Sequence, residues 1–532
     1  MAGQSHGLER RSVVSSFIFR FPDSRSDKPQ VALFKRSDKV STYQHHIAPI
    51  SGTISRKDKD PLSAAWRELS EETKLTASTL AFWRTGKPFT FSDESVGRQW
   101  TVHPFAFRLK DSAGEKAIVT DWEHEGWQWY DPTAVVHDEG FETSGVPHLR
   151  ESLRRVWFEG ELDEKSGKVL STGLERLQND HESGSHELTA IALAIFREYI
   201  MQGPDRLHDP RWWEDVQMVA WHLVKNGRES MGAATLNALL ATLEEMDEIW
   251  TLELPPDQTR ERMLTIIDHH LKGRNSRSGL VKDMFASYVR TTFMEGQSRE
   301  RLTILTLSAS STIRDSIVDA FGSLDISTLD LRILESRPLF EGVSIASSVL
   351  SKFQAQFQQN QNKHLHISLY TDASAAIAAK DVDIVLLGAD RISRKRGVSN
   401  KTGSLPVVLS TKHVVPSAKI VVLSELEKVN GENGLIDDEK DEDNDPREVI
   451  RTWRAEGVKG IETVETSAGA TGGATSNATV QVRNIYFEWI PLSLVDAFVS
   501  GEGVLNDNRI QEKANQQEEL ASRYFGNMPV RY

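Results

Sequence analysis

Between residues 302 and 423 the chain alternates short apolar runs with helical ones, and no other feature constrains its fold as strongly. Strand candidates lie at 302–307, 329–334, 366–370, 384–387 and 419–423. Helical patterns at 312–322, 342–358 and 373–379 separate the first four. Buried strands joined by helices predict an open, mostly parallel sheet. Polar clusters follow the strands: Ser308, Ser310, Ser311 and Thr312; Glu335 to Pro338; Thr371 and Asp372; Gly388 to Arg391. In a parallel sheet such strand ends converge at one edge, where ligands bind. The fourth cluster opens a longer stretch. The apolar run 384–387 stops at Gly388 and presents Asp390 and Arg391, a basic flexible connector follows, and Asn400, Lys401 and Gly403 lead into an apolar run at 405–409. Asn, Lys and backbone N–H groups there suit an anionic, oxygen-rich ligand such as a phosphate.

The chain has 532 residues, too many for one hydrophobic core, so more than one domain is expected. A net charge of −14 argues against direct nucleic-acid binding. The absence of cysteine removes disulfides, zinc-thiolate sites and any thiol nucleophile. No apolar stretch reaches the roughly 18–20 residues of a membrane span. Residues 13–21 read as a first strand rather than a signal peptide, which predicts a cytoplasmic protein.

Residues 1–165 carry strand patterns at 13–21 and 30–35, then a helix start with Asp60 as N-cap and Pro61 at the first helical position. On that helix, 62–75, Glu68, Glu71 and Glu72 fall at i, i+3 and i+4 and share one face. Carboxylates so close repel, and a divalent cation held by oxygen ligands would compensate. The run Arg67-Glu68-Leu69-Ser70-Glu71-Glu72, with Gly52 upstream, resembles the core of the Nudix box. The resemblance implies an α/β/α sandwich that cleaves diphosphates linked to a second moiety. It also implies Mg²⁺ or Mn²⁺ on Glu68, Glu71 and Glu72, Glu71 as a candidate catalytic carboxylate, and Arg67 orienting them. Two departures stand out. The box's upstream glutamate falls on Lys59 counted back from Arg67, or on Asp58 counted forward from Gly52, and the glycine after the box is Lys74.

Residues 166–300 read as helical, with periodic apolar runs at 186–201, 212–226, 233–246, 257–272 and 280–295. Arg228 follows Asn226-Gly227 and precedes a new helix, which could turn its guanidinium toward a cleft.

Five pieces in order, 304–310 (ILTLSAS), 335–342 (ESRPLFEG), 388–392 (GADRI), 400–404 (NKTGS) and 484–491 (NIYFEWIP), carry a second resemblance. It is to the family of translation initiation factor 2B α, β and δ subunits, methylthioribose-1-phosphate isomerase and ribose-1,5-bisphosphate isomerase. It implies a helical part (166–300), a Rossmann-like open parallel sheet (301–532) and a homodimer. It places Asp390 as acid/base and Arg228, Asn400 and Lys401 as holders of a sugar phosphate or nucleotide. Arg337 and Arg391, at neighbouring strand ends, join the substrate-binding candidates. Ser308 stands where the isomerases carry a cysteine; a serine hydroxyl is far less acidic, so proton shuttling there is weakened. No cofactor is expected in this region. An acidic segment at 430–445 and a small-residue stretch at 467–479 read as surface loops without a packed core, making a disordered insertion around 430–480. The reading is an α/β multidomain protein acting on phosphorylated ribosides. The alternative is a non-catalytic regulatory or scaffold subunit.

Overall fold

The computed structural model describes residues 8–21, 28–110, 115–203, 207–295, 299–360, 362–431, 435–436, 442–469, 480–526 and 528–531. The chain divides into two units. The first comprises residues 1–172, 202–204 and 528–532, and the second 173–201 and 205–527.

The first unit contains β1 (Glu9–Arg20), β2 (Gln30–Arg36), β3 (Ile47–Ala48), β4 (Ile50–Thr53), α1 (Pro61–Thr73), β5 (Leu80–Thr85), β6 (Phe89–Asp93), β7 (Arg98–Leu109), β8 (His124–Tyr130), α2 (Pro132–His137), α3 (Gly140–Ser144) and α4 (Leu149–Arg154). Its mixed sheet runs β3-β2-β1-β7-β5, with β4 on β1, β6 on β7 and β8 on β2. Side chains of β1 alternate between two cores, as a strand's period of two requires. Val14 and Ile18 pack with Ala64, Ala65 and Leu69 of α1. Phe17 and Phe19 pack on the other face with Val135 of α2 and Leu153 of α4. Helix α1 starts as its sequence predicts: Asp60 accepts from Ser63 N at 2.7 Å, and Pro61 follows. It ends at Lys74, which takes the left-handed conformation at φ 61°.

Helix α5 (Glu164–Asn179) crosses the unit boundary, and the second unit continues with α6 (Ser185–Gln202), α7 (Pro210–Lys225), α8 (Ala233–Trp250) and α9 (Pro256–Phe293). The apolar patterns at 257–272 and 280–295 predicted two helices. They form one, because neither Gly273 nor Gly279 breaks it and no proline intervenes.

The sheet region follows: β9 (Arg301–Thr306), α10 (Ser311–Ser323), β10 (Thr328–Leu334), α11 (Glu341–Phe357), β11 (His364–Tyr370), α12 (Ala375–Ala378), β12 (Ile384–Leu387), β13 (Arg391–Ser393), β14 (Gly397–Lys401), α13 (Ser404–Val414), β15 (Lys419–Leu423), β16 (Val429–Asn430), α14 (Pro446–Ala455), α15 (Ile461–Gly469), β17 (Phe487–Ile490), β18 (Ala497–Ser500), β19 (Gly503–Leu505) and α16 (Asp507–Ala521). The main sheet has the order β11-β10-β9-β12-β15-β18-β19, parallel except for β19. In β12, Ile384 and Leu386 enter one core and Val385 and Leu387 the other. Each fully buried side chain of this kind contributes about 1.5–3 kcal/mol.

Two loop expectations change. The basic connector after Asp390 is a β-hairpin: β13 and β14 pair antiparallel inside a second sheet, β16-β13-β14-β17, and every residue of both strands is buried. Gly397 makes its turn at φ 106°, where a Cβ would meet Ile490 O at 1.9 Å. The acidic segment 430–445 is packed at several of its described residues. Asn430 and Ile436 are buried, and Glu442 is ion-paired. Apolar and paired groups leave water whatever the average charge of a segment. Residues 432–434 and 437–441 of that segment, and most of the small-residue stretch, lie outside the described residues.

Candidate functional site

In the first unit the site grows from α1 and β4. A Cβ on Gly52 would lie 1.9 Å from both Cδ and Oε1 of Glu68, so only glycine leaves room for that carboxylate. Arg67 distinguishes the two upstream candidates by contact. Its Nε and Nη2 donate to the two oxygens of Asp58 at 3.0 Å each, and Nη2 also reaches Thr53 O at 3.1 Å. Of the two upstream candidates, Asp58 is thus the one that meets Arg67. The loop absorbs the one-residue slip by turning Asp58 back onto Ser55 N at 2.7 Å. Arg67's hydrogen bond holds the Asp58 carboxyl well below its ordinary value. From Nη1, Arg67 also donates to Glu68 at 2.7 Å and Glu71 at 3.2 Å.

A cavity of about 310 Å³ opens beside these residues. Glu68, Glu72, Glu123 and Arg36 line it, together with the aromatic side chains of Tyr43, Phe91 and Trp100. Glu71 is not among the lining residues; it is exposed and held by Arg67. Burial pushes the carboxyls of Glu68, Glu72 and Glu123 up, and their mutual repulsion adds to the effect. Glu72 Oε2 lies 2.7 Å from His124 Nε2, and burial drives His124 down to about 4. Burial therefore disfavours charge on both partners of this contact, pushing Glu72 up and His124 down. Among the described residues no three His, Asp or Glu side chains form a ready cation cage. The all-oxygen donors that crowd the cavity nevertheless suit a hard divalent cation. Glu123 and Arg36 were not singled out from the sequence, since neither belongs to the helical spacing that exposed the box.

In the second unit Asp390 follows β12 and is half-buried. Burial pushes its carboxyl up, against the charges of Lys428, Lys401 and Arg228. The predicted cations already have partners. Arg228 Nη2 meets Glu442 Oε1 at 3.0 Å, and Nη1 donates to Asp180 O at 3.0 Å. Lys401 Nζ lies 2.9 Å from Glu341 Oε2 and 4.3 Å from the Tyr486 ring centroid. Asn400 Nδ2 donates to Ser404 Oγ at 2.9 Å. Arg391 is buried with its guanidinium 5.1 Å over Trp489. Arg337 points elsewhere, to Glu335 and Glu456 at 2.9 Å each. The start of α13, expected to offer free N–H groups, is capped from within: Glu488 Oε1 accepts from Gly403 N at 2.6 Å and Leu405 N at 2.9 Å.

The strand-end loops are strained. Ser308 (φ 69°) after β9 and Ser336 (φ 58°) after β10 are left-handed, and Ser308 N donates to Ser336 Oγ at 2.9 Å. Asp372 fixes the second loop by accepting from Ser336 N and Arg337 N at 2.9 and 2.8 Å. Such conformations cluster where backbone is held for function. Glu341, Lys428 and Glu442 escaped the sequence reading because no local spacing links them to Asp390.

A mixed α/β chain with a box-bearing first unit and polar strand ends in the second defines a two-part, Nudix-bearing α/β protein. The chain belongs to the Initiation factor 2 subunit family, whose model matches residues 233–507, and it carries a NUDIX domain at residues 11–156. It is 25% identical over 180 residues to methylthioribose-1-phosphate isomerase of Pseudomonas savastanoi, covering 32% of this chain and 40% of the relative. It is 31% identical over 183 residues to that of an Enterobacter species, covering 34% and 45%. The chain thus spans less than half the length of these curated relatives. Among solved structures it is similar to the translation initiation factor eIF-2B of Pyrococcus horikoshii, with TM-score 0.44 and 16% identity, covering 64% of this chain and 98% of the other. A chain of the tetrameric eIF2B-beta2-delta2 complex of C. thermophilum gives TM-score 0.46 and 12% identity, covering 68% and 98%.

Proposed function

We propose that the first unit, a Nudix-type α/β/α sandwich, hydrolyses a diphosphate linkage in a phosphorylated riboside or nucleotide, using Mg²⁺ or Mn²⁺. The single observation that carries this reading is the crowding of Glu68, Glu72 and Glu123 around one cavity while Arg67 and Asp58 lock the helix that presents the first two. Glu68 and Glu72 would hold the cation from inside the cavity. Glu71 would join from the rim, or act as catalytic carboxylate, by leaving Arg67. The cation's chemistry is to polarise the diphosphate and acidify a water. Arg36 faces the cavity and is suited to a phosphate oxygen. The test is hydrolysis of nucleoside diphosphate derivatives followed by ³¹P NMR with Mg²⁺ or Mn²⁺. The wild-type chain should turn over, and Glu68→Gln with Glu72→Gln should not; a silent wild-type chain sinks the reading.

The second unit, Rossmann-like in its sheet, is assigned to binding a sugar phosphate or nucleotide beside Asp390, with Arg228, Asn400, Lys401 and Arg391 around it. Buried atoms without a protein partner among the described residues, Arg228 Nε and Glu442 Oε2, support a polar occupant. Pre-neutralised cations (Arg228 by Glu442, Lys401 by Glu341) favour binding over isomerisation, as does Ser308 in place of a thiol. That same observation supports the second reading, a regulatory subunit without turnover. Asp390→Asn separates the two: it should abolish aldose–ketose turnover if the site is catalytic and leave calorimetric binding of ribose 5-phosphate intact. A homodimer through this unit and a cytoplasmic location complete the proposal; light scattering of the purified chain tests the first. Among the described residues no helix is long and apolar enough to cross a membrane.

A further inference from the structure

Residues 528–531 lie far from the Nudix-like box in sequence yet belong to the first unit. Four groups receive them. Arg155 has no solvent exposure; its Nη1 donates to Lys87 O and Pro88 O at 3.0 and 3.2 Å, and its Nη2 to Pro529 O at 3.2 Å. Val530 packs on Phe89, Trp100 and Val102. Arg531 N donates to the buried Glu151 at 3.4 Å, and Arg531 Nη1 pairs with Glu161 at 2.9 Å. The complementarity is complete in kind: a carbonyl on a guanidinium, an apolar side chain in an apolar cluster, an amide and a cation on two carboxylates. Pro529 has no N–H to leave unsatisfied in such a place.

The far side of this groove is the candidate site. Trp100 and Val102, on which Val530 rests, line the same cavity as Glu68 and Glu72. We propose that residues 528–531 are a tethered positioning element: they fill a groove on the first unit and set the aromatic wall of its cavity through Trp100. Val530 and Arg531 are thus positioning residues for substrate binding, not catalytic ones. The kinetic arm of this proposal rests on the hydrolase reading; the binding arm does not.

The binding arm uses a chain ending at Asn527 and a fluorescent peptide of residues 527–532, followed by anisotropy. Saturable binding is expected, at least about tenfold tighter than to the intact chain, whose groove is filled in cis. A peptide with Val530→Asp should lose at least about tenfold. Equal binding to both chains, or none to the shortened one, overturns the proposal. Should the shortened chain not fold, full-length Val530→Asp takes its place, with the same two criteria. In the kinetic arm, ADP-ribose with Mn²⁺ is the probe. Val530→Asp should raise KM at least about fivefold with kcat unchanged, and Val530→Ile should restore it. An unchanged KM overturns the positioning role. Absent wild-type hydrolysis removes the hydrolase reading, and the peptide arm then decides this one.

Discussion

Replacing Glu442 by alanine should destabilise the second unit by about 2–4 kcal/mol, although the sequence places this residue in an acidic surface loop. The magnitude follows from its pairing. Arg228 and Glu442 side chains are 8% and 15% exposed, with 3.0 Å between Nη2 and Oε1. Removing one partner of a buried pair costs about 3–5 kcal/mol, because the other charge is stranded. Here Asp180 O still accepts from Arg228 and the field of Asp390 still reaches it, which lowers the expected cost. Arg228→Ala strands Glu442 with the bonds from Ser230 and Asn444, a comparable loss. The double variant removes both charges, so its cost should fall short of the sum by about 2 kcal/mol. Urea denaturation of the four full-length proteins measures this coupling. A value below about 0.5 kcal/mol refutes the reasoning, since independent sites add within that margin. The pH dependence carries a sign. Burial raises the Glu442 carboxyl, but the charge of Arg228 and the hydrogen bonds outweigh it and leave the carboxyl below its ordinary value. Its contribution is therefore present at neutral pH and lost as pH falls through the folded value, and Glu442→Ala should lack that loss. The same variant should bind inorganic phosphate at least about tenfold tighter than wild type, because Arg228 is released.

Three further outcomes are expected. Lys74→Gly should stabilise the first unit by about 0.5–1 kcal/mol in thermal unfolding, because Lys74 holds a left-handed conformation that glycine adopts without strain; a loss would refute this. Mn²⁺ binding should release protons, measured by calorimetry in buffers of different ionisation heat, and should tighten as pH rises, because its proposed ligands Glu68 and Glu72 are held above their ordinary values and must deprotonate. Asp390→Asn should flatten the pH dependence of stability above the ordinary carboxyl range. Burial raises Asp390, so its favourable contribution is full at low pH and declines as pH climbs toward the folded value.

Much of the architecture was legible because it rests on local periodicity. The apolar runs of β9, β10, β12 and β15, the Asp60-Pro61 start of α1 and the i, i+3, i+4 glutamates are patterns within a few residues. Misjudgements arose where a local pattern had two outcomes. Residues 391–401 looked like a connector because they are basic, yet they form a buried hairpin whose arginine stacks on Trp489. The start of α13 looked like an open anion site, yet Glu488, over eighty positions away, already fills it.

The sequence by itself determined that two α/β parts follow one another, that the first carries a carboxylate-bearing helix behind a glycine, and that the second ends its strands in polar clusters. These depend on residue type and spacing, which the backbone converts directly into faces and strand ends. Only the tertiary structure decided that Asp58 and not Lys59 meets Arg67, that Glu123 and Arg36 complete the first cavity, and that Glu442 and Glu341 hold the cations beside Asp390. Those choices depend on long-range pairing. Groups distant in sequence are brought together only once the sheets have formed, and the cost of leaving a buried charge alone then selects the partner.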